Sequence, residues 1–198
     1  MKKTVFFDLG NVLLLFDHQK MYQQIADFCR MDSDLILQSI QNHVDAYERG
    51  SIDSRTIHLK LCQLTGKHLE FTGLMTAMSD IFTLNEGMVS LVKELKSKQV
   101  ALFILSNTYE AHFNFAYMHY PLLHLFNGYV LSYEVKARKP EKEIFNAALS
   151  IAKCSKEESF YTDDIPEYIE AARALNIDAE LFINPTILTE QLTARGIL

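Results

Sequence analysis

Four short polar groupings hold the residue types from which a reaction site can be built: Asp8, Ser106-Asn107-Thr108, Lys139-Pro140, and Asp163-Asp164. Taken singly, each has an ordinary reading. An Asp or Ser after an apolar run turns the chain or caps a helix, and Lys139-Pro140-Glu141 is a normal helix start. Taken together they meet the needs of phosphoryl transfer: a nucleophile, groups that offset charge on phosphate oxygens, and carboxylates that orient a metal. Carboxylate oxygens suit Mg²⁺, while Ser hydroxyls and Lys ammonium groups suit phosphate oxygens.

The surrounding pattern shows how such groups converge. Thr4–Phe7, Val100–Leu105, Tyr129–Leu131, Ser159–Tyr161 and Ala179–Ile183 are short apolar runs that predict buried strands. Helical patterns at Glu86–Ser97, Glu141–Lys153 and Glu167–Leu175 separate most of them. Alternation of this kind predicts an α/β fold, a Rossmann-like core with a mainly parallel sheet. Such sheets bind ligands beyond the carboxyl ends of their strands, where the polar groupings lie. Between residues 18 and 84 the alternation stops. Tyr22, Ile25, Phe28 and Cys29, then Ile57, Leu61 and Leu64, then Leu74, Met78, Ile81 and Phe82 recur at helical spacing, with Gly50 and Gly66 marking turns. The expected plan is a core of residues 1–16 and 85–198 with an inserted helical cap at 17–84.

The 198 residues carry a formal net charge of −6 and no Lys/Arg run, which argues against a nucleic-acid partner. Met1-Lys2-Lys3 before an apolar run looks like a secretory leader, but Asp8 and Asn11 interrupt it, so a strand is the better reading. No stretch is long enough to cross a bilayer, so no membrane partner is expected. Cys29, Cys62 and Cys154 have no paired spacing, which favours reduced thiols and a cytoplasmic protein. His112, His119 and His124 match no transition-metal pattern, and no glycine-rich nucleotide loop occurs.

Phe7-Asp8-Leu9-Gly10-Asn11-Val12, Leu105-Ser106-Asn107-Thr108, Arg138-Lys139-Pro140-Glu141 and Phe160-Tyr161-Thr162-Asp163-Asp164 resemble the four ordered motifs of the haloacid-dehalogenase superfamily. The insert has the position of that superfamily's helical, first-site cap. Tyr47-Glu48-Arg49-Gly50-Ser51-Ile52, with Tyr129-Val130-Leu131-Ser132, resembles the bacterial α-D-glucose-1-phosphate phosphatase branch. The resemblance implies a Mg²⁺-dependent phosphatase acting on a small phosphorylated metabolite. Asp8 would form an aspartyl-phosphate. Ser106 and Asn107 would contact the phosphate, and Lys139 would offset the charge. Asp8, the Gly10 carbonyl, Asp163 and Asp164 would hold the metal. Arg49, at the cap turn, would face the substrate.

One departure stands out. Most phosphatases of this superfamily carry a second Asp two residues after the nucleophile as general acid and base, and this chain has Gly10. General acid–base catalysis contributes about 10²–10⁴-fold. The glucose-1-phosphate branch shares the glycine, and water, Asp17 or His18 are the substitutes at hand, although His18 also reads as an exposed residue at the cap hinge. Two other functions compete. A haloacid dehalogenase also lacks that acid, yet has no counterpart of the Asp163-Asp164 pair. A degenerate member would bind a phosphometabolite or a protein without turnover.

Overall fold

The computed structural model describes residues 4–198, so Met1-Lys2-Lys3, with which the expected core begins, lie outside the described residues. Strand β1 (Thr4–Phe7) is buried along its whole length and is the middle strand of a parallel five-stranded sheet. The two-residue alternation of a strand sends Val5 and Phe7 into one apolar cluster and Phe6 into the other, so the sheet is covered on both faces.

In chain order the first half contains β1, β2 (Leu14–Phe16), α1 (His18–Cys29), α2 (Ser33–Gln41), α3 (Val44–Glu48), α4 (Ser54–Thr65), α5 (Phe71–Ser79), β3 (Phe82–Leu84) and α6 (Glu86–Ser97). The second half contains β4 (Ala101–Ser106), α7 (Glu110–His119), β5 (Gly128–Leu131), α8 (Ser132–Val135), α9 (Lys142–Ala152), β6 (Ser159–Asp163), α10 (Pro166–Ala174), β7 (Asp178–Leu181) and α11 (Pro185–Ala194). The sheet order is β5-β4-β1-β6-β7. This is the Rossmann-like α/β arrangement that the sequence predicts.

Register decides where the polar residues end up. Phe7 pairs with Ile104 on one side and Thr162 on the other. One step further along, Asp8 is level with Leu105 and Asp163, and its amide still donates to the Thr162 carbonyl at 3.0 Å.

Between β1 and β4 the structure differs from the expected all-helical block in one respect. The helical spacing that includes Ile81 and Phe82 ends early, because α5 stops at Ser79 and Phe82 enters β3. β3 pairs antiparallel with β2, Phe82 opposite Phe16, and this ribbon joins helices α1–α5 to the sheet. The Asp17 carboxylate caps α1, accepting from the Gln19 and Lys20 amides at 2.8 and 3.1 Å. Cys29, Cys62 and Cys154 are free thiols outside any disulfide, and among the described residues no helix is long and apolar enough to cross a membrane.

Candidate active site

Lys139 is the hub of the strand ends. Only 2% of it is exposed, and its Nζ donates to Asp8 Oδ1 at 2.7 Å, Asp163 Oδ2 at 2.6 Å and the Leu105 carbonyl at 3.1 Å. Burial disfavours its charge, but the Asp8 and Asp163 carboxylates outweigh that and hold the ammonium above the usual lysine range. The Asp8 carboxyl is pushed up to about 7: burial raises it, Lys139 pulls it down, and crowding by Asp163 and Asp164 raises it again.

The loop carrying Lys139 is fixed by a two-way clamp. The Lys139 amide donates to Asn107 Oδ1 at 2.8 Å, and Asn107 Nδ2 donates back to the Lys139 carbonyl at 3.0 Å. Ser106, the last residue of β4, is thereby held beside Asp8 at the same sheet edge. The turn after it is tied down through the Ser132 hydroxyl, which meets both the amide and the carbonyl of Thr108 at 3.0 and 2.9 Å.

The paired acids are not equivalent. Asp163 is fully buried and both of its oxygens are engaged: Oδ1 accepts from the Ile165 amide at 2.9 Å, and Oδ2 accepts from Lys139 and from the Tyr161 hydroxyl. Asp164 lines the cleft and takes one hydrogen bond, from Asn11 Nδ2 at 3.1 Å. Asp8, Asp163 and Asp164 each offer an oxygen within 4.8 Å of one another. Converging hard carboxylate oxygens suit a Mg²⁺ ion, whose charge would relieve the crowding that raises Asp8; of the three, Asp163 has both oxygens already engaged.

Above these groups lies a cleft of about 190 Å³. Its wall includes Phe16, His18, Glu48, Phe82 and Tyr109. Arg49, expected to face the substrate, is not brought to this wall. Its guanidinium is held by Glu141 at 3.0 and 2.6 Å and by Asp45, one helical turn earlier, at 3.1 Å. Glu48 and Arg138 line the cleft instead, with Arg138 Nη2 at 2.7 Å from Glu48 Oε2.

Gly10 has a reason to lack a side chain. A Cβ there would stand 2.7 Å from Phe16 Cε1, closer than real contacts allow. The left-handed residue of this loop is Asn11, at φ 55°, not Gly10.

The sequence reading missed Tyr161, Asn11 and Tyr168. Tyr161 reads as a β-forming aromatic in an apolar run. Its place two residues before Asp163, hence on the same face of β6, is the signal that could have found it. His112 packs in the interior: it is buried, with Nε2 at 2.7 Å from the Tyr109 hydroxyl and 2.9 Å from the Met78 carbonyl.

Residues 18–181 match the haloacid dehalogenase-like hydrolase family, a span that starts after Asp8 and Gly10. A sesquiterpene phosphatase of Aspergillus oryzae is 27% identical over 181 residues, covering 88% of this chain and 87% of its own. A haloacid-dehalogenase-family enzyme of Bacteroides thetaiotaomicron, solved in complex with magnesium and inorganic phosphate, superposes with a TM-score of 0.77 at 24% identity, covering 91% of this chain and 94% of its own. A hydrolase of the same type from Porphyromonas gingivalis superposes with a TM-score of 0.75 at 20% identity, covering 96% and 98%.

Proposed function

The chain belongs to the haloacid dehalogenase-like hydrolase family, and on that footing we propose that it is a Mg²⁺-dependent phosphatase using Asp8 as nucleophile on a small phosphorylated metabolite. The observation that carries this reading is the buried Lys139, which ties Asp8 to Asp163 while Asp164 turns its carboxylate to the same cleft. The Bacteroides enzyme's complex with magnesium and phosphate, and the name of the Aspergillus relative, point the same way.

Asp8 attacks phosphorus, and its bond to Lys139 fixes the carboxylate for in-line approach. Lys139 and the Ser106 hydroxyl offset charge on the phosphoryl oxygens, and Asn107 holds the Lys139 backbone in place. Water then hydrolyses the aspartyl-phosphate. Asp8, Asp164 and the Gly10 carbonyl would hold the metal, with Asp163 acting mainly by orienting Lys139, because its own oxygens already accept from Lys139, Tyr161 and the Ile165 amide. When bound, Mg²⁺ neutralises and orients the phosphoryl oxygens.

Helices α1–α5 form the cap over this edge of the sheet. The cleft is smaller than the roughly 300–1,000 Å³ typical of sites for drug-sized ligands. It also carries the Glu48–Arg138 pair, able to bond hydroxyl groups. Both features favour a compact hydroxylated leaving group, such as the sugar of glucose 1-phosphate, over a long prenyl chain.

The test is phosphate release from hexose 1-phosphates, hexose 6-phosphates and prenyl phosphates, with Mg²⁺ and with a chelator. The expected result is metal-dependent release, faster on the sugar phosphates. Undiminished release in chelator overturns the metal-dependent mechanism, and preference for a prenyl phosphate overturns the substrate class.

A further inference from the structure

Cleavage of a phosphate ester leaves electrons on the departing oxygen, and an alcohol with a high pKa leaves slowly unless a nearby group protonates it. Most titratable side chains of the cleft are already committed. Asp8 is the nucleophile, Lys139 is bonded to two carboxylates, and Asp164 is bonded to Asn11 beside the metal ligands. Glu48 Oε2 lies 2.7 Å from Arg138 Nη2 as an ion pair without a hydrogen bond, and burial raises its carboxyl pKa, so it lines the cleft as a second acid that the test below must separate from His18. His112 is enclosed between Tyr109 and Met78. The hydroxyl of Tyr168 accepts from Asn107 at 3.3 Å and burial raises its pKa above the usual tyrosine value, while that of Tyr109 is held by His112. His18 is the imidazole of the cleft left without such ties: among the described residues its ring nitrogens have no hydrogen-bond partner, the residue is exposed, and it lines the same cleft as Asp8.

Resting on the phosphatase reading, we propose that His18 is the acid that protonates the leaving-group oxygen and the base that activates water in the second step. Its placement is built, not incidental. His18 opens α1, directly after the Asp17 cap that pins the turn. Its ring packs against Phe16, with centroids 4.7 Å apart, and the edge of Phe16 fills the space next to Gly10. Phe16 therefore crowds the position of a residue-10 side chain and packs against His18 in the lining of the cleft.

The protonation balance is set locally. Burial lowers the imidazole pKa, and Asp17 opposes that. His112, close by, is neutral at working pH, since burial pushes it down to about 3. A bound phosphate dianion adds negative charge across the cleft and favours the imidazolium.

In the first step an Asp8 oxygen bonds to phosphorus while the bond from phosphorus to the ester oxygen breaks. That electron pair stays on the ester oxygen, which takes the His18 proton and departs as the alcohol. In the second step water bonds to phosphorus, the bond to Asp8 breaks, Asp8 regains its carboxylate, and His18 recovers a proton from the water.

The test compares wild type, His18→Asn and His18→Gln, all with Mg²⁺, on phosphate esters of graded leaving-group pKa, from p-nitrophenyl to simple alkyl. Wild type should depend weakly on leaving-group pKa. Both variants should depend on it steeply, losing about 10²-fold or more in kcat/KM on alkyl esters and markedly less on p-nitrophenyl phosphate. Thermal melting checks that each variant is folded, and either folded variant suffices. Equal fractional loss along the series, or no loss, overturns the assignment. If wild type releases no phosphate even from p-nitrophenyl phosphate, the phosphatase reading itself fails and takes the role of His18 with it.

Discussion

Residue 10 shows how one missing side chain is explained by its neighbour. With Phe16 Cε1 2.7 Å from where a Cβ would stand, Gly10→Asp has to displace a ring that also packs on His18. Overpacking of this kind costs about 1–3 kcal/mol. The variant should therefore melt below wild type, and Phe16→Ala in the same chain should recover part of the loss; differential scanning of the single and double variants checks both. A left-handed backbone would have given another reason for glycine, but that conformation belongs to Asn11. Asp8, Ser106, Lys139, Asp163 and Asp164 were legible in the sequence because each ends an apolar run or opens a helix. The Asp163–Tyr161 bond was not, since a hydroxyl in a buried run carries no sign of the partner it will meet. Arg49 was legible as a cap-turn cation, but which anion it meets depends on how α3 docks on the loop before α9.

At the level of elements, α5 and α7 are joined by a buried polar contact that titrates. His112 Nε2 meets the Met78 carbonyl, and its pKa is pushed down to about 3, mainly by burial. The unfolded chain binds this proton near the ordinary value of about 6.5, so from pH 3 to 6.5 the unfolded state holds more protons. In that window His112 lowers stability as pH falls, and its penalty is absent above 6.5. His112→Gln, whose amide can reach the Nε2 position, removes the titration. The variant's stability relative to wild type should then improve on the order of 3 kcal/mol from pH 7 to pH 4, measured by urea unfolding at both values. The helices with strong 3.6-residue patterns, α6, α9 and α10, were legible to within a residue or two. The β2–β3 ribbon was not, because two three-residue strands leave no period to read and their pairing joins residues far apart in the chain. Helix α7 was hidden as well: Phe113, Phe115 and Tyr117 alternate in a strand-like way, although Glu110–His119 is helical.

For the whole molecule, the parallel register of β4, β1 and β6 does the assembling. Phe7 opposite both Ile104 and Thr162 brings Asp8, Ser106 and Asp163 to one edge from positions more than 150 residues apart along the chain. The alternation of strands and helices makes this architecture readable from the sequence, while the shape of the cleft wall depends on the folded cap. The central claim is that Asp8 is the nucleophile, and its most direct measurement is phosphate release by Asp8→Asn beside wild type, with saturating Mg²⁺ and p-nitrophenyl phosphate. The amide is nearly isosteric, so the variant should fold, yet it lacks the attacking carboxylate. The account predicts metal-dependent release by wild type and a loss of at least about 10³-fold in kcat for the variant. A folded Asp8→Asn protein that keeps most of the wild-type rate would contradict it.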